Sequence, residues 1–224
     1  MISELTDRTL HEKSEMISEL TSSLRAMYDE SADKVPFHGW HHIAFVARKG
    51  RQFASERGAD EFLVEAAALV HDVNYVVESN SEPDAGFALR QTLLRQAGFD
   101  SAEAQRIEAI ILEAHTATRT AQISAEGASL SDADTLFKAL PMTPVVFSHL
   151  FLEENKISLR ALGEKILGEQ IPLLDSGIYF YDEEVRKRYL PWARTNLELW
   201  KMIMDSLEDA DVLMVLKSIG LKAG

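Results

Sequence analysis

The sequence contains no cysteine, and this absence excludes several kinds of structure. Disulfide bonds cannot form, and a metal site built on thiolates is excluded as well. A metal ion would have to be held by histidine, aspartate and glutamate side chains. Proline and glycine are also scarce, with 6 and 11 residues among 224. Together with many Ala, Leu and Glu residues, this scarcity predicts an all-α protein.

Positive charge is in short supply too. The chain has 23 Lys and Arg residues against 36 Asp and Glu residues, which gives a formal net charge of -13. Nucleic acids and anionic membranes are bound by basic surfaces, so we expect neither as a partner. An anionic substrate would then need a local positive centre, and a metal ion is one way to supply it.

Long apolar runs are missing as well. No uninterrupted stretch approaches the roughly 18 residues that a membrane span requires. The first residues, Met1 to Leu5, are polar and acidic and lack the basic and apolar regions of a secretory signal. We therefore expect a cytoplasmic protein. The length and the 46% of hydrophobic residues predict one domain with a sizeable core.

The stretch from Phe62 to Tyr75 is the strongest local signal that is present. Its apolar residues recur at helical spacing, which predicts a helix packed into the core: Phe62, Leu63, Ala66, Leu69, Val70 and Val73. His71 and Asp72 stand side by side near its end. A buried carboxylate beside an imidazole needs a partner, and a divalent metal accepts ligands of both types.

A second histidine cluster precedes this stretch, because three of the seven histidines fall between His38 and His42. The helix that follows has an apolar stripe of Ile43, Val46, Ala47, Gly50, Phe53 and Ala54. His42 lies one turn before Val46 and shares that face, so it is a candidate metal ligand. His38 lies one further turn upstream. The alternative is a half-buried patch or a helix cap.

The later segments offer candidates of several kinds. His115 ends an apolar helix, where it is either a structural residue or a contact to phosphate. The predicted loop from Thr116 to Ser129 carries Arg119. Asp132 and Asp134 flank the next apolar stripe on opposite sides, and either one could instead cap a helix. Periodicity alone does not decide which of the two faces inward.

Other helices are predicted along the whole chain. The first runs from about Ser3 to Glu30, and another runs from about Asp84 to Ala97 with Phe87 and Ala88 facing inward. The region from about 141 to 224 is helical and holds two of the three tryptophans, with Trp192 facing inward. We interpret this region as a cover over the helical core or as a contact within a homo-oligomer.

The order His42, His71-Asp72 and Asp134 on successive helices resembles the HD superfamily of metal-dependent phosphohydrolases. The similarity extends over roughly Phe37 to Leu140. Within it, the stretch from Asp132 to Leu136 is similar to the family's Ala-Asp-X-Leu signature, which selects Asp134 as the ligand. The resemblance implies a helical bundle in a single domain over residues 1–224, with its core at about 37–140 and an extra C-terminal helical region at about 141–224.

The resemblance also implies a chemistry. His42, His71, Asp72 and Asp134 would hold one divalent cation, which could be Mn, Co, Ni, Zn, Fe or Mg, and metal-activated water would attack a phosphate ester. The substrate would be a small phosphorylated molecule, with a nucleotide preferred. The remaining candidates divide into two sets: Asp72, Asp132, His115 and His38 for catalysis, and Lys138, Arg48, Lys49 and Arg119 for binding phosphate.

Two alternatives follow from the same resemblance. One is a diiron oxygenase of the HD type, and the other is a nucleotide-binding module without catalysis. Family members with two metals have further histidines between the His-Asp pair and the final Asp, whereas only His115 lies in that interval here. Asn74 also stands where guanosine tetraphosphate hydrolases carry an acidic residue. A mononuclear phosphohydrolase is therefore preferred.

Overall fold

The computed structural model describes residues 8–220, and within that range the chain contains helices and no β-strand. The all-α prediction is confirmed. Residues 3–7, where the first helix is predicted to start, lie outside the described part. The α-helices are α1 (Leu10–Glu30), α2 (Trp40–Arg57), α3 (Glu61–Val70), α4 (Val73–Val77), α5 (Phe87–Gln96), α6 (Ser101–Ala114), α7 (Ala125–Ala139), α8 (Ser148–Asn155), α9 (Leu159–Asp175), α10 (Glu183–Ser206) and α11 (Ala210–Ser218).

Two compact units divide the chain, the first ending at Asp134 and the second beginning at Thr135. A 3-10 helix, Pro83–Gly86, precedes α5, and a π-helix, Thr143–Phe147, precedes α8. No single helix among the described residues is long and apolar enough to cross a membrane. Within residues 8–220, one pair of helical segments, α7 and Thr143–Asn155, is long and apolar enough when taken together, but the pair is bent by 71°. The single domain over residues 1–224 stays a prediction.

Helix α3 lies at the centre of the first unit, where it packs against α1, α2 and α6. It begins after Asp60, whose carboxylate accepts hydrogen bonds from the N–H groups of Phe62 and Leu63. Almost all of α3 is buried, on every side of the helix and not along one face. The approach of α2 is close, because a Cβ on Gly50 would lie 3.2 Å from Val64 Cγ1.

The helix predicted to continue through Val73 is interrupted at the His71-Asp72 pair. Helix α3 ends at Val70, and α4 begins at Val73 after Asp72 adopts φ -104° and ψ 15°. The Asp72 carbonyl then accepts the N–H of Tyr75 at 3.1 Å, which starts the new turn. Both candidate ligands therefore lie at a junction between two helices.

Three further details differ from the sequence-based predictions. Phe87 is 51% exposed and Ala88 is exposed, because the segment starts as a 3-10 helix and turns a different face inward. The loop predicted to reach Ser129 is shorter, since α7 already begins at Ala125. Trp192 is 41% exposed on α10 and does not pack inward.

The second unit is built around the packing of α9 on α10. A Cβ on Gly163 would meet Met204 Sδ, so a larger residue would force the Met204 side chain to move. The amide of Asn196 on α10 donates to the carbonyl oxygens of Lys138 and Leu140 at 2.9 and 3.0 Å, which satisfies the end of α7.

Candidate metal centre

Three places in the first unit supply the side chains of the candidate site. His42 lies in the first turn of α2, which begins after Gly39. His71 and Asp72 occupy the junction between α3 and α4, and Asp134 lies on α7. His42 and His71 are buried, and the side chains of Asp72 and Asp134 are 15% and 19% exposed. The site is thus largely withdrawn from solvent but open on its carboxylate side.

The four side chains lie close together around His42 Nε2. His42 Nε2 lies 3.3 Å from His71 Nε2, 3.1 Å from Asp72 Oδ2 and 3.5 Å from Asp134 Oδ1. His71 Nε2 also lies 3.1 Å from Asp72 Oδ2. The ligand atoms of His42, His71 and Asp134 are all within 4.8 Å of one another. The structure therefore brings together all four residues that were predicted as metal ligands.

A backbone contact fixes the orientation of the His71 ring. Its Nδ1 lies 2.7 Å from the carbonyl oxygen of Ala68, and a carbonyl can only accept, so Nδ1 carries the proton. In the neutral ring, Nε2 then presents a lone pair towards His42 and Asp72. A nitrogen lone pair facing a carboxylate inside the protein is unfavourable unless a cation or a proton lies between them. This histidine has the arrangement typical of a metal ligand.

The spacing of the ligand atoms around His42 Nε2 fits a divalent cation. Bonds of about 2.1 Å place neighbouring ligands about 3.0 Å apart in octahedral geometry and about 3.4 Å apart in tetrahedral geometry. The contacts centred on His42 Nε2 span 3.1 to 3.5 Å, which is the same range. Two imidazoles and two carboxylates suit Zn, Mn, Fe, Co or Ni. The donor set thus fits the predicted cofactor.

The electrostatics of the site favour ionised Asp72. Burial raises the pKa of Asp72, but the charge of His71 and the hydrogen bonds from both imidazoles outweigh it and hold that pKa well below its usual value. Burial lowers the pKa of His42. Burial also acts to lower the pKa of His71, but the neighbouring charge of Asp72 prevails and raises it. Without metal, His71 therefore holds a proton more readily than His42.

His38, predicted to be catalytic, lies beside the four ligands. Its buried ring stacks on Tyr75 with the centroids 4.0 Å apart, and its edge approaches the ring of His42 at 5.9 Å. The charge of His38 is among the influences that lower the pKa of Asp72. Tyr75 was not predicted as a site residue from the sequence. Its position one turn after Asp72 could have indicated that its ring lies near the candidate ligands.

The structure gives Asp132 a different environment from the one predicted. Its carboxylate is fully buried and forms an ion pair with Arg57, from the last turn of α2, and Arg57 also donates to Ser129 Oγ at 3.1 Å. A carboxylate neutralised by a guanidinium is a poor base for water. Because it lies two residues from Asp134 on a helix, Asp132 points about 200° away around the axis. This placement does not support the predicted catalytic role.

The other predicted residues have varied positions. Arg119 is buried and donates from Nη1 to Ser131 Oγ at 2.6 Å, one turn before Asp134 on α7. Lys138 lies one turn after Asp134 on the same helix. His115 is half-buried at the end of α6, where its carbonyl accepts the N–H of Arg119. On α2, Arg48 is exposed, and Lys49 donates to Gln52 Oε1 at 2.9 Å.

Comparison with known proteins supports the same family. A family model described as HD domain matches residues 39–138. The crystal structure of Bacillus subtilis YpgQ is similar, with a TM-score of 0.63 and 19% sequence identity over 86% of this chain and 96% of that chain. At this identity the similarity shows the fold alone. No curated protein matches the sequence.

Proposed function

Because residues 39–138 make this chain an HD-domain protein, a family of generally metal-dependent phosphohydrolases, we propose that it hydrolyses phosphate esters of a small molecule of the nucleotide class. One divalent cation, bound by His42, His71, Asp72 and Asp134, would serve as its cofactor. The proposal depends on three short distances from His42 Nε2. They are 3.3 Å to His71 Nε2, 3.1 Å to Asp72 Oδ2 and 3.5 Å to Asp134 Oδ1.

The residues of the chain would divide the work between them. A divalent cation held there supplies Lewis acidity, which activates water and polarises a phosphoryl oxygen. Asp72, whose low pKa keeps it ionised, orients the attacking water by accepting its hydrogen bond. His38 lies next to Asp72 and His42 and holds or releases a proton at its ring nitrogen. The stack on Tyr75 fixes the plane of that ring.

Phosphate binding would fall to cations near the carboxylate side of the site. Arg119 is the best placed of those predicted, because its hydrogen bond to Ser131 ties it to the helix that carries Asp134. A planar guanidinium presents several donors to a phosphate group. Lys138 and His115 are weaker candidates for binding phosphate. Arg48 is exposed on α2.

The proposal is tested by removing and restoring the metal. The purified protein is stripped with a chelator, reloaded separately with Mn, Co, Ni, Zn, Fe or Mg, and screened against nucleotides and phosphomonoesters. We expect one metal per chain and metal-dependent release of phosphate or pyrophosphate. His71→Ala and Asp72→Ala should lose metal and lower activity by at least about 100-fold, since a ligand matters more than the residues that orient it.

The matched control is His149→Ala, which removes an exposed imidazole from the second unit. It should keep full metal content and activity. Full activity and metal content in both His71→Ala and Asp72→Ala would contradict the proposal. Two irons per chain would point to an oxygenase, and binding of a nucleotide without any product would point to a sensor.

A further inference from the structure

A groove runs along one face of α10 in the second unit. Its volume is about 620 Å³, and it is lined by Tyr181 and by residues of α10 that include Arg186, Lys187, Leu190 and Arg194. These positions recur every three or four residues, so their side chains share one face of the helix. None of them belongs to the candidate metal centre.

The groove carries positive charge in a chain whose net charge is -13. Its lining contains three cations and one carboxylate, that of Glu183. Among the described residues outside the groove, seven arginines have a carboxylate partner, and these are Arg8, Arg25, Arg51, Arg57, Arg90, Arg106 and Arg160. The two arginines of the groove, Arg186 and Arg194, form no such pair within residues 8–220.

The three cations of the groove are only weakly compensated by carboxylates. The guanidinium of Arg186 donates to the carbonyl oxygens of Phe180 and Gly177, which hold it in place without neutralising it. Arg194 forms no ion pair with any of residues 8–220. Lys187 has only Glu184 at 3.9 Å, with both side chains about four-fifths exposed, and such a pair contributes little. An anion would therefore gain from entering.

The remaining lining indicates which kind of anion fits. Lys187 and Arg194 lie seven residues apart, about 10.5 Å along the helix, with apolar Leu190 between them on the same face. The half-buried ring of Tyr181 adds a surface on which a planar group can stack. A volume of this size suits a small molecule, since such sites commonly measure about 300–1,000 Å³. A polynucleotide would meet the acidic surface beyond the groove.

We propose that the groove on α10 is a binding site for a nucleoside polyphosphate, with the phosphates on Arg186, Lys187 and Arg194 and the base against Tyr181 and Leu190. The groove holds no group placed for hydrolysis, so its role is binding. The proposal goes beyond hydrolysis at the metal centre and does not depend on it.

The test measures binding of ADP to the full chain by calorimetry, with a chelator present so that metal-dependent binding is removed. We expect one ADP per chain. Arg194→Glu should weaken binding at least about tenfold, whereas Arg194→Lys should stay within about threefold, since it keeps the charge. Arg186 is left intact because it also supports the backbone at Gly177 and Phe180.

The matched control is Arg188→Glu, which makes the same charge change on the same helix at a residue that lies over the Tyr189 ring and outside the groove. It should bind ADP like the wild type. If Arg194→Glu fails to fold, as judged by its melting curve, Lys187→Gln takes its place. Absence of ADP binding, equal loss in Arg188→Glu, or binding of inorganic pyrophosphate as tight as that of ADP would overturn the proposal. ADP binding retained in His71→Ala would separate it from the metal centre.

Discussion

The Nε2 atoms of His42 and His71 lie 3.3 Å apart, although 29 positions separate the two residues in the chain. Burial lowers the pKa of His42, whereas the charge of Asp72 overcomes burial and raises the pKa of His71. The site thus shifts the pKa values of its two imidazoles in opposite directions. A metal ion needs the lone pairs of both rings.

This difference predicts that metal binding releases one proton in mildly acidic solution. At about pH 6, below the raised pKa of His71, that ring must give up its proton, whereas the lowered pKa of His42 favours its neutral form and Asp72 is already ionised. Affinity should therefore rise about tenfold per pH unit there and level off at high pH. Calorimetry in two buffers with different ionisation enthalpies measures the proton count. Zero protons released at about pH 6 would contradict the prediction.

Some of this arrangement could be predicted from the sequence, and the reason is periodicity. His42 shares the apolar face of α2, and His71 follows the apolar run of α3, so both could be expected to point inward. The interruption of the helix at His71 could not be predicted, because no proline or glycine marks it. It depends on the φ and ψ of Asp72, which the surrounding helices determine.

The choice between Asp132 and Asp134 shows a second limit. The two carboxylates flank one stripe, and only their partners distinguish them. Arg57, the partner of Asp132, lies 75 positions away, beyond the reach of any local pattern. The resemblance to the HD superfamily selected Asp134, and the structure brings that residue to 3.5 Å from His42 Nε2.

Tyr75 is expected to support catalysis through His38. Replacing it with alanine removes the ring on which His38 stacks at 4.0 Å, so the imidazole can rotate and kcat should fall about tenfold or more. Tyr75→Phe keeps the ring and should keep kcat within about threefold, because the stack needs no hydroxyl. Steady-state kinetics and metal analysis check this together. Loss of metal in Tyr75→Ala, or equal kcat in all three proteins, would contradict it.

Asp132 is expected to stabilise the folded protein and not to take part in catalysis. Asp132→Asn removes a fully buried carboxylate charge that pairs with the guanidinium of Arg57, which should lower the free energy of unfolding by about 3–5 kcal/mol. The folded fraction should keep its kcat within a few-fold. Urea unfolding and steady-state kinetics measure the two effects separately.

Two further variants sharpen this comparison. Asp29→Asn breaks the exposed pair with Arg25 and should change the free energy of unfolding by less than about 1 kcal/mol. Arg57→Met combined with Asp132→Leu should recover much of the lost stability, since the double change removes both charges of the buried pair together. A 100-fold loss of kcat in Asp132→Asn at unchanged stability would instead support the catalytic role predicted from the sequence.

Gly86 lies in the 3-10 helix that precedes α5, and its small size is expected to be needed for metal binding. A Cβ at this position would lie 2.6 Å from Arg90 Nη1 and 2.8 Å from the backbone nitrogen of Asn74, which is two residues after Asp72. Arg90 cannot easily move away, because it is buried and holds Glu108 at 2.8 Å and the carbonyl of Pro83 at 2.7 Å. Gly86→Ala should therefore displace the backbone at Asn74.

That displacement should reduce both the stability of the protein and its affinity for metal. We expect Gly86→Ala to lower the free energy of unfolding by about 1–3 kcal/mol, as overpacking does, and to weaken metal binding, because Asp72 and α4 shift together. Gly168→Ala is the matched control. No atom lies within 4 Å of its added Cβ and it sits inside α9, so it should stabilise the protein by about 0.5–1 kcal/mol and leave metal affinity unchanged. Metal affinity that is equal in the two variants would show that the junction at Asp72 is independent of the packing at Gly86.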